Sequence, residues 1–532
     1  MVFLHFFILR RRKVCTLTKF PEFDFRGIKR IEIPYADKDF AGGEGKDFGE
    51  SILNKYMQRI LNTHKQNAKK EKYLYDYALG LQDIRCKTRI YNKDQKNNNI
   101  ISQNHAYRQV QFKVDFLTGE QKEFTHKADV STDDLIYFDR YNTSVDYFAK
   151  TRSMFFWAYA TGVGVTSVEP RTDIIYADGS YATKEQGFDI DNEAPYTYES
   201  LDPTENFVVY SSGRSKEPLF CVSVVETDVG ENKIIKLQYK ITIETRYAYF
   251  ECYTSKSYGG FDKVRFIKAK YFKQLPFDEH SKDENRMGLV ELNKDSFNAI
   301  NTLLSNIEDM VVDNANMLFV FKNTDVTQEA IDKMKESGAV VISDTPDNRG
   351  GGNADIKTIT IEIPFNGFID YTESLLVPSY DIAGVPLASG QVTSGGDTGQ
   401  ARLLGGGWNN AYISINGDIV SFKKSDYSVL RKMLAICATV PNCPINELSA
   451  SQIDIKYRIN QNDNLLVKAQ SLNQLWQANF PYEEAVKASG LFSDSVTVAK
   501  KWQSQDEKAK AQANQTQETV VVDEENKNAE TA

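Results

Sequence analysis

Carboxylate pairs such as Asp133-Asp134 and Glu308-Asp309 are the residue types that could do acid/base chemistry. General acid/base work needs two carboxyl groups whose surroundings push their pKa values apart. Both pairs fall in stretches of helical periodicity, where charged side chains face water by default. Gly42-Gly43-Glu44-Gly45-Lys46-Asp47 carries the Lys of a phosphate loop. It lacks the first Gly at the required spacing and the Ser or Thr after Lys, so it reads as a surface turn. Gly350-Gly351-Gly352 sits in a hairpin-like turn, not between a strand and a helix. No GxSxG, HExxH or EF-hand loop occurs. Cys15, Cys86, Cys221, Cys252, Cys437 and Cys443 form no CxxC, and the five histidines show no HxxxH spacing. Reduced, buried thiols are expected, with no disulfide framework, no zinc or other metal site, no cofactor and no catalytic residue.

Two features resist so plain an account. Between Asp295 and Val320 there are four acids and no base, and Glu308, Asp309 and Asp313 share the polar face of a helical pattern. On a single chain this is an ordinary solvated face. Repeated around an axis it would line a water-filled channel with negative charge. The second feature is the small, polar stretch Ala388 to Gln400, with Ser389, Gly390, Gln391, Thr393, Ser394, Gly395 and Gly396. It reads as a linker, or as a loop that slides on a partner without gripping it.

These residues must be carried by folded elements, and the chain is long enough to build them. Its 532 residues allow three or four domains or one elongated subunit, and the 41% hydrophobic fraction supports sizeable cores. The net charge of −9 argues against a tight, non-specific nucleic-acid gripper, which needs clustered Lys and Arg. Met1 to Leu9 is almost wholly apolar and precedes Arg10, Arg11, Arg12 and Lys13. A secretory signal has the opposite order, and a membrane span needs about 20 apolar residues. A mobile or mis-assigned extension is the preferred account, a weak membrane anchor the minor one.

The periodicity predicts an α+β chain. Helix is expected over 50–82 and 133–160, whereas 104–117 fits helix or strand equally. From Asp173 to Phe272 short alternating runs predict an antiparallel sheet module. Asp295 is a plausible N-cap for a helix whose apolar face holds Phe297, Ile300, Leu304, Ile307, Val311, Ala315 and Leu318. A small α/β insert follows over 324–363, with a helix at Thr327–Ser337 and strands at Ala339–Ile342 and Ile356–Ile363. Phe368–Val377 is helical, with Pro378 and Pro386 interrupting what comes next. A long helix resumes near Leu404, with Gly405-Gly406-Gly407 favouring a kink or late start. Two or three short helices fill 464–503, and the polar chain from Gln505 is expected to be disordered.

These segments, in this order, resemble the portal proteins of tailed bacteriophages, specifically the gp6-like head-to-tail connector family. Tyr73 to Ile84 resembles the family's aromatic-rich helix end. Asn97 to Ala106 with Phe116-Leu117-Thr118-Gly119 is similar to its Asn-rich stretch and the "YL-x-G" that follows. Leu201-Asp202-Pro203, Phe207 to Tyr210 and Glu217-Pro218-Leu219 resemble wing strands. Ala383-Gly384-Val385-Pro386 and Thr398-Gly399-Gln400-Ala401 resemble the frame of the tunnel loop. The resemblance implies an elongated multi-domain fold. Its parts are an N-terminal extension and arm at 1–49, a wing at 50–285, a stem helix at 286–322 and a clip at 323–364. A second stem helix at 365–387, a tunnel loop at 388–400, a long kinked helix at 401–440, a crown at 441–504 and a disordered tail at 505–532 complete it.

It further implies a homo-oligomer, a dodecamer, at one capsid vertex of the virion, assembled in the host cytoplasm. Double-stranded DNA would pass through its channel during packaging and ejection, with no membrane involved. Implied partners are the terminase large subunit, the head-tail adaptor, and the major capsid and scaffolding proteins. Asp347, Asn348, Arg349 and Gly350 of the clip would meet the motor and then the adaptor. Another phage ring protein of capsid or tail, or a hydrolase with a β-rich domain, are the alternatives.

Overall fold

The computed structural model of the chain describes residues 27–40, 45–86, 98–127, 133–175, 180–231, 234–255, 260–315, 318–322, 355–359, 364–387, 408–459, 465–478, 480–489 and 501–505, with isolated positions besides. The N-terminal run 1–13, the Gly350 turn, the expected elements Thr327–Ser337 and Ala339–Ile342, Gly405–Gly407 and the tail from 506 lie outside the described residues.

The chain divides into two compact units. The larger takes Phe23–Tyr75, Gln109–Glu291 and Trp408–Ala532, and the smaller takes Met1–Glu22, Asp76–Arg108 and Leu292–Gly407. The elements in chain order begin with β1 (Ile31–Ile33), α1 (Gly45–Ala78), α2 (His105–Thr118), β2 (Glu123–His126), α3 (Asp133–Ser144) and α4 (Tyr147–Thr161). Strands β3 (Val163–Pro170), β4 (Tyr196–Leu201), β5 (Asn206–Ser211), β6 (Pro218–Glu231) and β7 (Ile234–Thr245) follow, then β8 (Ala248–Ser255), β9 (Arg265–Ala269) and β10 (Phe277–Ser281). After them come α5 (Leu289–Ala315), β11 (Leu318–Lys322), β12 (Asp355–Ile359), α6 (Phe365–Ala383) and α7 (Trp408–Cys437), and last β13 (Ile453–Lys456), α8 (Leu465–Gln477) and α9 (Tyr482–Ser489).

In the larger unit the expected β module is a six-stranded sheet in the order β1-β5-β6-β7-β8-β9. Its neighbours are antiparallel except β1, which runs parallel to β5. Ile52, Leu53, Met57, Ile60 and Leu61 of α1 enter the core made by Phe220, Ile241, Ile243 and Phe250 of that sheet. Burying each such side chain contributes about 1.5–3 kcal/mol, so the helix is held by its stripe and not by propensity. A second sheet, β10-β3-β4, closes a core shared with α3, α4, α7 and the β2–β13 pair.

The stretch 133–160 is two helices, not one. Asp146 adopts φ +54 between α3 and α4, which turns the chain so that Phe138 and Tyr147 both reach the same core. Gly162 ends α4 at φ +105, where a Cβ would stand 2.2 Å from the carbonyl oxygen of Arg286. The ambiguous 104–117 stretch is helical, because Val110, Val114 and Leu117 fall at steps of four and three and are all buried. The face of α7 that enters the core carries Asp418 and Asp426 among Ile415, Phe422 and Val429. Lys113 Nζ lies 3.4 Å from Asp418 and Lys122 Nζ 2.8 Å from Asp426, so neither charge is buried alone.

In α5 and α6, three expectations are corrected. Asp295 is not an N-cap: α5 begins at Leu289, six residues earlier, because Leu289 and Val290 are buried and draw the start of the helix back. The helix also ends at Ala315, short of Lys322, since Leu318-Phe319-Val320-Phe321 forms β11 and pairs antiparallel with β12. Finally, α6 passes through Pro378 to Ala383. The ring at 378 and the helix surface at Ser374 are exposed, so water can take the Ser374 carbonyl that proline leaves without a donor.

Candidate functional site

The polar face of α5 is the element to which the sequence assigns a role, and its geometry differs from a solvated face. Residues 98–104 run alongside it as an extended chain. The Asn99 backbone N–H donates to Asp309 Oδ1 at 2.8 Å, that of Ile101 to Ser305 Oγ at 2.9 Å, and that of Gln103 to Asn301 Oδ1 at 2.9 Å. The register follows from two repeats. Two extended residues advance about 6.6 Å and four helical residues about 6.0 Å. Every second N–H of the strand therefore meets every fourth side chain of the helix, and α5 serves as a side-chain substitute for a β partner.

Gln82, fully buried, ties the end of this ladder together. Its Oε1 accepts from Ser102 Oγ at 2.9 Å and from Asn301 Nδ2, and its Nε2 donates to Asn104 Oδ1 at 3.1 Å. Asn104 in turn donates to the Ala78 carbonyl at 2.8 Å. Asn298 continues the stripe, donating to Asp83 Oδ2 at 2.9 Å and accepting from Tyr77 OH at 3.1 Å. Each buried polar atom in this chain of contacts is satisfied, which is the condition under which a buried polar network stabilises its fold. Next along, His105 stacks on Phe297 and its Nδ1 lies 3.1 Å from Tyr380 OH. Burial lowers the His105 pKa and raises that of Tyr380, so both are neutral at pH 7.

Asp309 is thus engaged within its own chain. It is 5% exposed and spends its carboxylate on the strand of its own chain. Glu308, one residue away and about 100° round the helix, is half-buried. The side chain of Asp313 lies outside the described residues, as do the whole of the 388–400 loop and Asp347, Asn348, Arg349 and Gly350. The apolar stripe read from the sequence is split: Phe297 and Ile300 are buried, whereas Val311 is exposed, as is Met310 beside it. The inward face of α5 is thus rotated toward its polar side.

Helix α6 shows a different surface. Phe365, Ile369, Tyr371, Val377 and Ile382 are each 44–59% exposed, and packing tightens only at Ser379, Tyr380 and Ala383. Sequence reasoning missed Gln82, Asn301 and Ser305. The signal was there as polar residues at 298, 301, 305 and 309, steps of three and four on one face, but nothing local says that such a face is occupied.

Among the described residues no group of three or more His, Cys, Asp or Glu is placed to hold a metal ion, and no helix is long and apolar enough to cross a membrane. A family model described as phage portal protein, SPP1 Gp6-like, matches residues 57–401, well over half of the chain. No curated protein matches it.

Proposed function

Because the chain belongs to the phage portal protein family, SPP1 Gp6-like, we propose that its copies close into a ring, a dodecamer, at one capsid vertex and form the channel for double-stranded DNA. The observation that carries the proposal is the set of apolar side chains that α6 leaves uncovered, Phe365, Ile369 and Val377 toward one side of the helix and Tyr371 and Ile382 toward the other. Exposed apolar surface on both sides of one helix marks interfaces, and closed rotational symmetry, which gives each subunit a neighbour on either side, is the commonest way to cover it with copies of the same chain.

In such a ring α5 and α6 are the stem helices, and Met310 and Val311 add to the surface that neighbours cover. Glu308 and Asp313 remain the acids for the bore, where negative charge repels phosphates and keeps the duplex from sticking. Residues 388–400 would narrow the bore. Residues 347–350 would meet the terminase large subunit during packaging and the head-tail adaptor afterwards.

The test is assembly. Purified chain viewed by negative-stain microscopy should show rings with a central hole. Ile369→Asp combined with Ile382→Asp should leave folded subunits that do not close, since each charge would enter an apolar contact. Rings that form unchanged in that double variant would show that neither side of α6 is covered in the assembly.

A further inference from the structure

Helix α1 carries a face of basic and uncharged polar residues, with the Glu205 carboxylate near its Lys72 end. Along α1 the exposed positions between 51 and 72 include Lys55, Arg59, Lys69 and Lys72, and the rest are Ser51, Asn62 and Gln66. There is no exposed acid and no exposed apolar residue among them. Lys55, Arg59 and Lys69 recur at steps that keep them on one side of the helix, over about 21 Å. None of these four side chains forms an ion pair among the described residues.

A groove of about 380 Å³ opens beside this face, lined by Lys29, Arg30, Arg59 and Thr63. Lys29 is exposed, and Arg30 has its Nε buried without a hydrogen-bond partner while its guanidinium stands 5.2 Å from the Tyr210 ring centroid. The single acid in the groove, Glu32, is engaged by Lys216 at 2.6 Å. Three cations thus converge where no protein carboxylate is free to neutralise them.

From this we infer that the exposed face of α1, with Lys29 and Arg30 beside it, binds the phosphate backbone of duplex DNA. Phosphate binding needs spaced cations and no more, and a run of about 21 Å spans roughly six base pairs at 3.4 Å each. A protein partner would need an apolar anchor at the centre of its footprint, and this face has none. The occupant of this face is chosen from the charge and geometry of α1, and binding can be measured whether or not rings close.

The test uses the full chain and a fluorescent mixed-sequence duplex, with anisotropy followed as salt is raised and the oligomeric state measured in the same buffers. Arg59→Glu with Lys69→Glu should weaken binding at least about tenfold at low salt and make the log Kd against log salt slope shallower by about 2. The Arg59→Ala, Lys69→Ala pair should do the same less strongly, and carries the test if the reversed charges impair folding. Lys184→Glu, at a position 72% exposed off this helix, should leave affinity unchanged. No salt-dependent binding by the unmodified chain, or equal binding by the double variants, would overturn the inference. Tighter binding of an acidic peptide of matched charge than of the duplex would overturn it too, assigning the face to a protein. A ring lost together with unaltered duplex binding would count against the assembly proposal alone.

Discussion

The backbone N–H of Asn99 and the carboxylate of Asp309, 210 residues apart in sequence, meet at 2.8 Å and close the last rung of a ladder between an extended strand and a helix. This contact decides what Asp309 does. A carboxylate that accepts a backbone N–H in a buried position acts on the stability of its own chain, whatever surrounds the chain in a particle.

Asp309→Ala should therefore lower stability by about 1–3 kcal/mol, because the Asn99 N–H is left without its acceptor. Asp309→Asn keeps an oxygen at the same place and should cost less. Urea midpoints of the two variants give the comparison. Equal midpoints for Asp309→Ala and the unmodified chain would show that the rung carries no weight.

Burial, ahead of the nearby Arg286 that pulls the other way, raises the Glu71 pKa to about 8. The folded chain then holds a proton that the unfolded chain releases near its ordinary value of 4.5. Stability falls as pH rises between those two values, by about 1.4 kcal/mol per pH unit, and levels off above the folded pKa. Glu71→Gln should remove that slope and raise the melting temperature at pH 8 more than at pH 5. A variant whose pH dependence matches the unmodified chain would exclude a neutral Glu71.

His64 and His280 act at the other end. Burial lowers each to about 4. They stay neutral when folded while the unfolded chain takes up protons below its ordinary 6.5, so stability falls as pH drops from 6.5 toward 4. His280 Nε2 lies 2.9 Å from Thr166 Oγ1, facing Asp426, Asp278, Lys122 and Lys432. His280→Gln, which retains a polar end, should flatten the acid limb of a melting-temperature profile measured from pH 7 to 4. An unchanged acid limb would place the loss in other groups.

Lys122 joins Asp426 at 2.8 Å with both side chains buried, and its ammonium sits 4.6 Å from the Tyr457 ring centroid. Lys122→Met should cost about 3–5 kcal/mol, because it leaves a buried carboxylate uncompensated. Adding Asp426→Leu should restore much of that loss, although Tyr457 OH also gives up its acceptor. Chemical denaturation of the two variants checks the sign of the coupling. A double variant no more stable than the single one would show that other partners hold the charge.

Local periodicity was enough for the helices α1, α5 and α7 and for the antiparallel run from β5 to β9, since apolar spacing acts within one element. It also carried the order of segments on which the family resemblance rests. It failed where a neighbour remote in sequence set the outcome. Helix α5 starts at Leu289 because that side chain is buried, and the polar face that looked solvated is filled by residues 98–104. Lys113 and Asp418, 305 residues apart, permit a charge on a core face of α7 that neither residue could occupy alone. Composition and spacing fix which groups a segment offers. Only the tertiary structure decides which of them meet, because hydrogen bonds and ion pairs act over a few ångströms and the chain brings distant residues that close only when it folds.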